Sequence, residues 1–188
     1  MIISFEDTHI ENACKISHFT WGDFYKKESE RVQKVIYDFM IEYYDLNRDY
    51  SFSFVDDGYK GFILANEKTD KKVLSTTAFE SLEEGDRVVA EDLLSCLESC
   101  GKSVKSEMTT DDIMVGLFVS TQKGGGKELL SALIDKCVRT GKKNLYLWSD
   151  TTCDYKYYAK NGFEVVKSFD KTVTGETITV LIYRKPIV

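Results

Sequence analysis

A buried strand that runs through a glycine-rich turn into an amphipathic helix constrains this chain more than any other segment. Residues 113–119 form a nearly unbroken apolar run, which is typical of a central strand. Residues 121–126 end in three consecutive glycines, and residues 127–139 then place leucines at helical spacing. A unit of this kind favours a sheet with helices packed on it over a helical bundle or an all-β sandwich.

The other segments predict strands and helices in mixed order. Strands are expected near residues 2–5, 51–55, 59–65, 73–79, 145–148, 163–169 and 176–184. Helices are expected from Thr8, with later ones near 29–44, 82–104, 127–139 and 154–160. Asp57 and Gly58 predict a hairpin turn between two strands. We therefore expect an α/β (α+β) fold with a mixed, mostly antiparallel central sheet flanked by helices.

The domain organisation follows from the length. A chain of 188 residues is long enough to bury one sizeable core, so residues 1–188 are predicted to form a single domain. The stretch near residues 80–105 is expected to be a helical insertion. Its apolar positions share one face, and its Asp and Glu residues lie on the opposite, solvated face.

Charge and cysteine content exclude several classes of protein. Lys and Arg number 25 against 31 Asp and Glu, a net charge of −6, so no nucleic-acid partner is expected. No apolar run reaches the roughly 18 residues of a membrane helix, and the N-terminus does not resemble a signal peptide. The 5 cysteines are scattered and the histidines number only 2, which favours reduced thiols, a cytoplasmic protein and no metal site.

The glycine turn predicts an anion site. Backbone N–H groups at the start of a helix lack intrahelical acceptors, and the helix dipole adds positive potential there. A phosphate or pyrophosphate suits this environment, and Lys123 and Lys127 add positive charge. A P-loop would need Ser or Thr where Glu128 stands, and a Rossmann fingerprint would need different glycine spacing. A helix-entry turn that binds no ligand remains an alternative.

The same segment resembles the acetyl-CoA loop of the GCN5-related N-acetyltransferases (GNAT family). Gly124 and Gly126 match the family's glycines, and Thr121 stands where the family prefers Arg or Gln. Residues 145–150 and 157–163, which end in Tyr-Tyr-Ala-Lys-Asn-Gly-Phe, resemble the family's next strand and helix end. Residues 57–62 resemble its hairpin. The resemblance covers about residues 1–65 and 110–186 and implies a GNAT-like acyl-CoA N-acyltransferase fold.

The resemblance also implies a set of site residues. Acetyl-CoA would be the cosubstrate, with no metal, and the residues expected to bind it are Leu117, Phe118, Val119, Gln122, Lys123, Gly124, Gly125, Gly126, Lys127 and Tyr158. A backbone N–H near Phe118 or Val119 would meet the thioester oxygen. Tyr158 would be the general acid, and a core tyrosine is the alternative. Tyr157 is expected in the core.

Two further roles are predicted with plain alternatives. The resemblance implies a proton-relaying carboxylate just before the central strand, so Glu107 or Asp111 is the expected general base, while solvated loop acids are the alternative. His18 and Trp21 are expected in a loop after the first helix. The resemblance implies that this loop borders the acceptor cleft, so both are candidates for substrate contact, and simple aromatic packing is the alternative. Asp150 is interpreted as a cap of the following helix.

The resemblance thus implies an acetyl-CoA-dependent N-acetyltransferase that acts on a primary amine. The acceptor is expected to be a small molecule or a peptide, and the protein a monomer or homodimer without membrane partners. The alternative is a non-catalytic domain on the same fold that binds acyl-CoA or interacts with a protein. A cationic acceptor such as a polyamine, an aminoglycoside or a basic N-terminus would suit the acidic balance.

Overall fold

The computed structural model describes residues 1–21, 28–71 and 77–187 of the chain. Its helices and strands, in chain order, are β1 (Ile2–Ser4), α1 (Ile10–Trp21), α2 (Glu30–Tyr44), β2 (Phe52–Val55), β3 (Tyr59–Glu67), α3 (Thr77–Glu80), α4 (Glu84–Glu107), β4 (Asp112–Ser120), α5 (Gly125–Arg139), β5 (Asn144–Asp150), α6 (Lys156–Lys160), β6 (Glu164–Val173) and β7 (Glu176–Pro186). Short 3₁₀ turns lie at Asp7–His9 and Arg48–Tyr50.

Seven strands of the described residues form one sheet in the order β1-β2-β3-β4-β5-β7-β6. Neighbouring strands pair antiparallel except β4 and β5, which are parallel. The sheet is therefore mixed and mostly antiparallel, as the sequence predicts. Because a parallel pair needs a crossover, α5 connects β4 to β5.

The core lies on both faces of the sheet, because alternate residues of each strand point to opposite sides. On one face Leu64, Met114 and Tyr146 pack with residues of α1, α2 and α4. On the other face Val115 and Leu147 pack with leucines of α5. This two-sided burial explains why residues 113–119 read as a continuous apolar run rather than an alternating one.

Three local expectations are corrected by the structure. The first helical segment begins at Asp7 rather than after Thr8, because Glu6 and His9 form a reciprocal capping box there. His18 and Trp21 lie in the last turn of α1 and not in a loop. Thr77–Glu80 is helical where a strand near 73–79 was expected, and residues 72–76 of that expectation lie outside the described residues.

The helix α4 extends slightly past the predicted insertion, to Glu107. It packs against α2 and against β5, β6 and β7. Its buried residues Leu93, Leu97 and Val104 join the core cluster on that face, whereas Val88 is 58% exposed. The helix α4 thus covers part of one face of the sheet. Among the described residues, no helix combines the length and apolarity needed to cross a bilayer.

Candidate active site

The strands β4 and β5 separate after only three paired positions. Asp112, Ile113 and Met114 pair with Asn144, Leu145 and Tyr146, and no pairing follows beyond them. β4 meanwhile continues beside β3 as far as Ser120. A gap therefore opens between the carboxyl ends of two adjacent strands.

A β-bulge at Gly116 accompanies this separation. Leu117 pairs with Leu64 and Val115 pairs with Ala65, so Gly116 is the extra residue on β4. A Cβ atom on Gly116 would lie 2.1 Å from Cδ1 of Tyr44, which shows that the ring presses on the bare backbone. The hydroxyl of Tyr44 in turn accepts a hydrogen bond from Trp148 Nε1 at 3.0 Å, across the gap on β5.

The gap is the floor of a cleft of 780 Å³. Its lining includes eight of the residues predicted to bind acetyl-CoA: Leu117, Phe118, Val119, Gln122, Gly124, Gly126, Lys127 and Tyr158. Lys123 and Gly125 belong to the same turn but are not part of the lining. In the described part of the chain, no group of three or more metal-binding side chains is present.

Backbone geometry directs polar groups of β4 into this cleft. Thr121 N donates to Lys60 O at 2.8 Å, so Thr121 and Lys60 form a hydrogen-bonded antiparallel pair. Because such pairs alternate along a ladder, Phe118 and Ser120 turn their N–H and C=O groups away from β3. These groups face the side on which β5 has diverged. The Phe118 N–H is thereby available to an oxyanion.

The glycine turn leaves several backbone donors free at the start of α5. Gly124 adopts φ +87°, and Gly125 N bonds Gln122 O at 3.0 Å, which fixes the turn. The N–H groups of Lys123, Gly124 and Gly126 find no acceptor among the described residues. Together with the dipole of a 15-residue helix, these free N–H groups give the turn the donors that an anion would need, and the anion site itself stays a prediction.

The polar side chains of this turn are already engaged in the structure. Gln122 Nε2 donates to Asp56 Oδ2 at 2.8 Å, and Thr121 Oγ1 donates to Lys60 O at 3.0 Å. Both bonds tie the turn to the β2–β3 hairpin. The turn therefore offers backbone donors and the Lys127 ammonium to a ligand, rather than the Gln122 amide.

Tyr158 lies on α6, across the cleft from β4. Its ring packs against Tyr157, Phe163 and Tyr183 with centroids 5.3–5.7 Å apart. Burial raises the pKa of its phenol, which keeps the hydroxyl protonated at neutral pH. No protein acceptor or donor within the described ranges bonds this hydroxyl. Tyr158 therefore presents a protonated hydroxyl, without a protein partner among the described residues, to the cleft.

Tyr157, which the sequence analysis places in the core, also lines the cleft. Its hydroxyl is buried and has no hydrogen-bond partner among the described residues. A Cβ on Gly126 would lie 3.2 Å from this hydroxyl, so Tyr157 stands directly beside the start of α5. An unpaired buried hydroxyl is costly, and a ligand phosphate at the turn would satisfy it.

The two residues predicted to contact substrate have different places. Trp21 lines the cleft, whereas His18 is absent from its lining. His18 Nε2 bonds Gln33 Oε1 at 2.9 Å and its ring packs on Tyr37, with centroids 5.4 Å apart. His18 therefore joins α1 to α2.

The two carboxylates predicted to act as a base lie away from Tyr158. Glu107 Oε1 accepts from Lys167 Nζ at 3.0 Å. Asp111 accepts from Lys143 Nζ at 2.6 Å, and this hydrogen bond lowers the pKa of Asp111. Asp111 adjoins the amino end of β4, and the cleft lies at the carboxyl end. Neither residue lines the cleft.

Two carboxylates of the described residues line the cleft: the exposed Asp154 and, at the end of β5, the buried Asp150. Asp150 is 8% exposed. Its Oδ1 accepts from the Thr152 backbone N–H at 2.8 Å and from the Thr152 hydroxyl. Asp150 thus caps the turn after β5, while α6 begins only at Lys156. The sequence could have identified Asp150 as a site residue, because it lies at the carboxyl end of a predicted strand.

Comparison with known proteins gives fold-level matches. No protein-family model and no curated protein matches the sequence. The structure is similar to an acetyltransferase of the GNAT family from Staphylococcus aureus, with a TM-score of 0.58 and 11% identity. That match covers 100% of this chain and 99% of the other.

Two further solved structures are similar. The ribosomal-protein-S18-alanine N-acetyltransferase of Escherichia coli gives a TM-score of 0.55 and 15% identity, covering 100% of this chain and 93% of that one. YncA, described as a putative acetyltransferase from Salmonella typhimurium with its cofactor acetyl-CoA, gives 0.54 and 14%, covering 100% and 94%. The chain has the fold of the GNAT acyl-CoA N-acyltransferases, as the sequence resemblance predicted.

Proposed function

We propose that this protein is an acetyl-CoA-dependent N-acetyltransferase that transfers an acetyl group to a primary amine. The observation that carries the proposal is the divergence of β4 and β5 between a donor-rich helix start and the Tyr158 hydroxyl. The fold neighbours are acetyltransferases, and one was crystallised with acetyl-CoA. A cytoplasmic location is part of the proposal.

The residues of the cleft fit acetyl-CoA. The free N–H groups of Lys123, Gly124 and Gly126 and the Lys127 ammonium would bind its pyrophosphate, and Tyr157 would donate to a phosphate oxygen. Gly126 has no Cβ, which allows a ligand to approach the backbone closely. The exposed backbone edge of β4 at Phe118 and Ser120 would pair with the amide groups of the pantetheine arm.

Acetyl-CoA supplies an acyl group on a good leaving thiolate. In the reaction a C–N bond forms, the C–S bond breaks, and the ammonium of the acceptor loses one proton to solvent and one to the leaving sulfur. The Phe118 N–H would stabilise the oxyanion. The Tyr158 phenol would donate the proton to sulfur, because its raised pKa keeps it protonated, and the phenolate would regain a proton from the acceptor nitrogen.

Replacing Tyr158 by Phe tests the acid role. We expect kcat to fall at least about tenfold, the lower part of the usual range for losing a general acid. The Kd for acetyl-CoA should stay within about twofold, because the hydroxyl acts on the leaving sulfur rather than in binding. Calorimetry with acetyl-CoA, with ATP and NADH as comparison ligands, gives the Kd, and thiol release gives kcat.

The matched control is Tyr50→Phe. Tyr50 donates to Thr140 Oγ1 at 3.2 Å and does not line the cleft. This variant should keep the full kcat. An unchanged kcat for Tyr158→Phe between pH 6 and 9 would remove Tyr158 from the mechanism. Absence of acetyl-CoA binding in calorimetry would overturn the proposed function itself.

A further inference from the structure

A second part of the cleft has a lining that differs in chemistry from the glycine turn. Beyond Gly116 its wall is built from apolar and aromatic side chains of α1, α2, α4 and β5: Trp21, Met40, Tyr44, Leu93, Leu97 and Trp148. Leu93 and Leu97 are 6% and 3% exposed, and they come from α4, which lies between β3 and β4 in the chain. This part of the cleft would bury an apolar group well.

A buried carboxylate lines the same cleft as this apolar wall. Asp150 lines the cleft, and its Oδ1 is held by Thr152. The contact of its Oδ2 within the described residues is the Cys153 thiol, with Sγ 3.9 Å away. No Lys or Arg of the described residues forms an ion pair with it. A buried carboxylate without a cation is unfavourable unless a ligand supplies one.

We infer that the acceptor is a primary monoamine with an apolar body, aromatic or branched aliphatic, and that Asp150 binds its ammonium group. This inference rests on the proposed function and names the acceptor class for the same cleft. The apolar body would pack against Leu93 and Leu97 on α4 and against Trp148. A polyamine or an aminoglycoside would bring further charges or hydroxyl groups against Leu93 and Leu97, whose side chains cannot form hydrogen bonds with them.

A panel of acceptors tests the acceptor class. The amines are 2-phenylethylamine, spermidine, kanamycin and a short peptide with a free N-terminus, each followed by thiol release from acetyl-CoA. We expect kcat/KM for 2-phenylethylamine to exceed that of each other amine at least about tenfold. This ratio is the usual effect when the poorer substrate lacks one favourable contact or leaves one polar group unpaired. A higher value for spermidine, kanamycin or the peptide would overturn the inference.

The variant Asp150→Asn tests the anchor. Asn keeps an oxygen that can accept from the Thr152 N–H, so the turn is retained while the charge is removed. We expect KM for 2-phenylethylamine to rise about tenfold. The inhibition constant of 2-phenylethanol, which has the same body and no charge, should stay within about twofold, as should the Kd for acetyl-CoA. An equal loss of amine and alcohol binding, or no change in KM, would overturn the anchoring role.

The matched control is Asp170→Asn on the exposed strand β6. Asp170 also accepts from a threonine hydroxyl, Thr179 Oγ1 at 2.8 Å, and lies outside the cleft. Its KM for every amine should equal that of the unchanged protein. A rise in KM that matches that of Asp150→Asn would show a general effect of net charge and overturn the anchoring role.

A size test addresses the α4 wall. Leu93→Phe should lower kcat/KM for 2-phenylethylamine about tenfold and leave that for propylamine within about twofold, because only the larger body reaches the wall. An equal effect on both amines would overturn the placement of the body. Acetyl-CoA binding without binding or acetylation of 2-phenylethylamine overturns this inference alone, whereas loss of acetyl-CoA binding overturns the proposed function.

Discussion

At the scale of single residues, Tyr44 shows how one helix side chain shapes the sheet beneath it. The ring is 1% exposed, presses on the bulge at Gly116 and accepts a hydrogen bond from Trp148. These contacts hold β4 and β5 on either side of the opening. The absence of a side chain at Gly116 is therefore a packing requirement of the cleft and needs no unusual backbone angle.

The variant Gly116→Ala tests this packing. Its Cβ would lie 2.1 Å from Cδ1 of Tyr44 and 2.6 Å from Cγ, so the ring or the strand must move. We expect the free energy of unfolding to fall by about 1–3 kcal/mol, the usual cost of overpacking a core. Urea titration at neutral pH measures this change.

Gly85→Ala is the matched control for that change. Gly85 lies in the first turn of α4, and no atom lies within 4 Å of a Cβ built there. Alanine favours the helix over glycine by about 1 kcal/mol, so this variant should be as stable as the unchanged protein or more stable. If Gly116→Ala were equally harmless, Tyr44 would not be in contact with the bulge.

At the scale of elements, two adjacent glycines at the start of α5 are required for different reasons. A Cβ at Gly125 would lie 2.5 Å from Ser120 Oγ and 2.6 Å from Phe54 Cε1, so Gly125 is needed for packing. A Cβ at Gly126 would approach only side-chain atoms of Tyr157 and Phe118, at 3.2 and 3.3 Å, inside the cleft. Gly126 is thus needed for the space that a ligand would enter.

The variant Gly126→Ala should therefore affect stability and binding in opposite directions. Alanine in the first turn of a helix raises the free energy of unfolding by up to about 1 kcal/mol. Acetyl-CoA binding should weaken about tenfold, because the methyl group occupies the approach to the free N–H groups. Thermal unfolding and calorimetry measure the two effects. Unchanged acetyl-CoA affinity would place the phosphates elsewhere.

At the scale of the whole molecule, buried acids with raised pKa values decide how the fold responds to alkali. Burial raises the pKa of Cys137 to about 12 and that of Tyr43 to about 12, and it raises the pKa of Tyr44 as well. Each group stays protonated when folded and ionises at its ordinary pKa when unfolded. Their contribution is complete below pH 9 and decreases as pH rises toward 12.

We therefore expect the free energy of unfolding to fall between pH 9 and 11. Above its ordinary pKa each such group binds more protons in the folded than in the unfolded state, so the slope is negative. Its size is at most about 1.4 kcal/mol per pH unit for each group. Urea midpoints at pH 7.5, 9 and 10.5 measure it. A midpoint that rises or stays level across this range would contradict the raised pKa values.

Much of the fold could be predicted from the sequence. The helix near residues 29–44 and the turn at Asp57 and Gly58 follow local rules of periodicity and turn chemistry, and the structure confirms both. The end of β3 was harder to place. Asn66 and Glu67 are polar but belong to the strand, because Asn66 Nδ2 donates to Tyr44 O and Glu67 pairs with Ile113.

The candidate site likewise combines features that follow from local sequence with features that depend on distant contacts. The glycine turn is a local feature, because the first N–H groups of any helix lack intrahelical acceptors, whatever the rest of the fold. The roles of Tyr44, Trp148 and Asp150 depend on elements that are distant in sequence, Tyr44 and Trp148 being 104 residues apart. The prediction of Asp111 as the base required the cleft to lie at the amino end of β4. The cleft lies at the carboxyl end, away from Asp111.

The sequence by itself therefore determined the strand–turn–helix unit, the class of fold and the free backbone donors of the turn. These features depend on backbone chemistry and on periodicities within a few residues. Only the tertiary structure decided where β4 and β5 separate, which carboxylates line the cleft, and that α4 contributes to its apolar wall. Those properties arise from contacts between segments far apart in the chain, which no local pattern encodes.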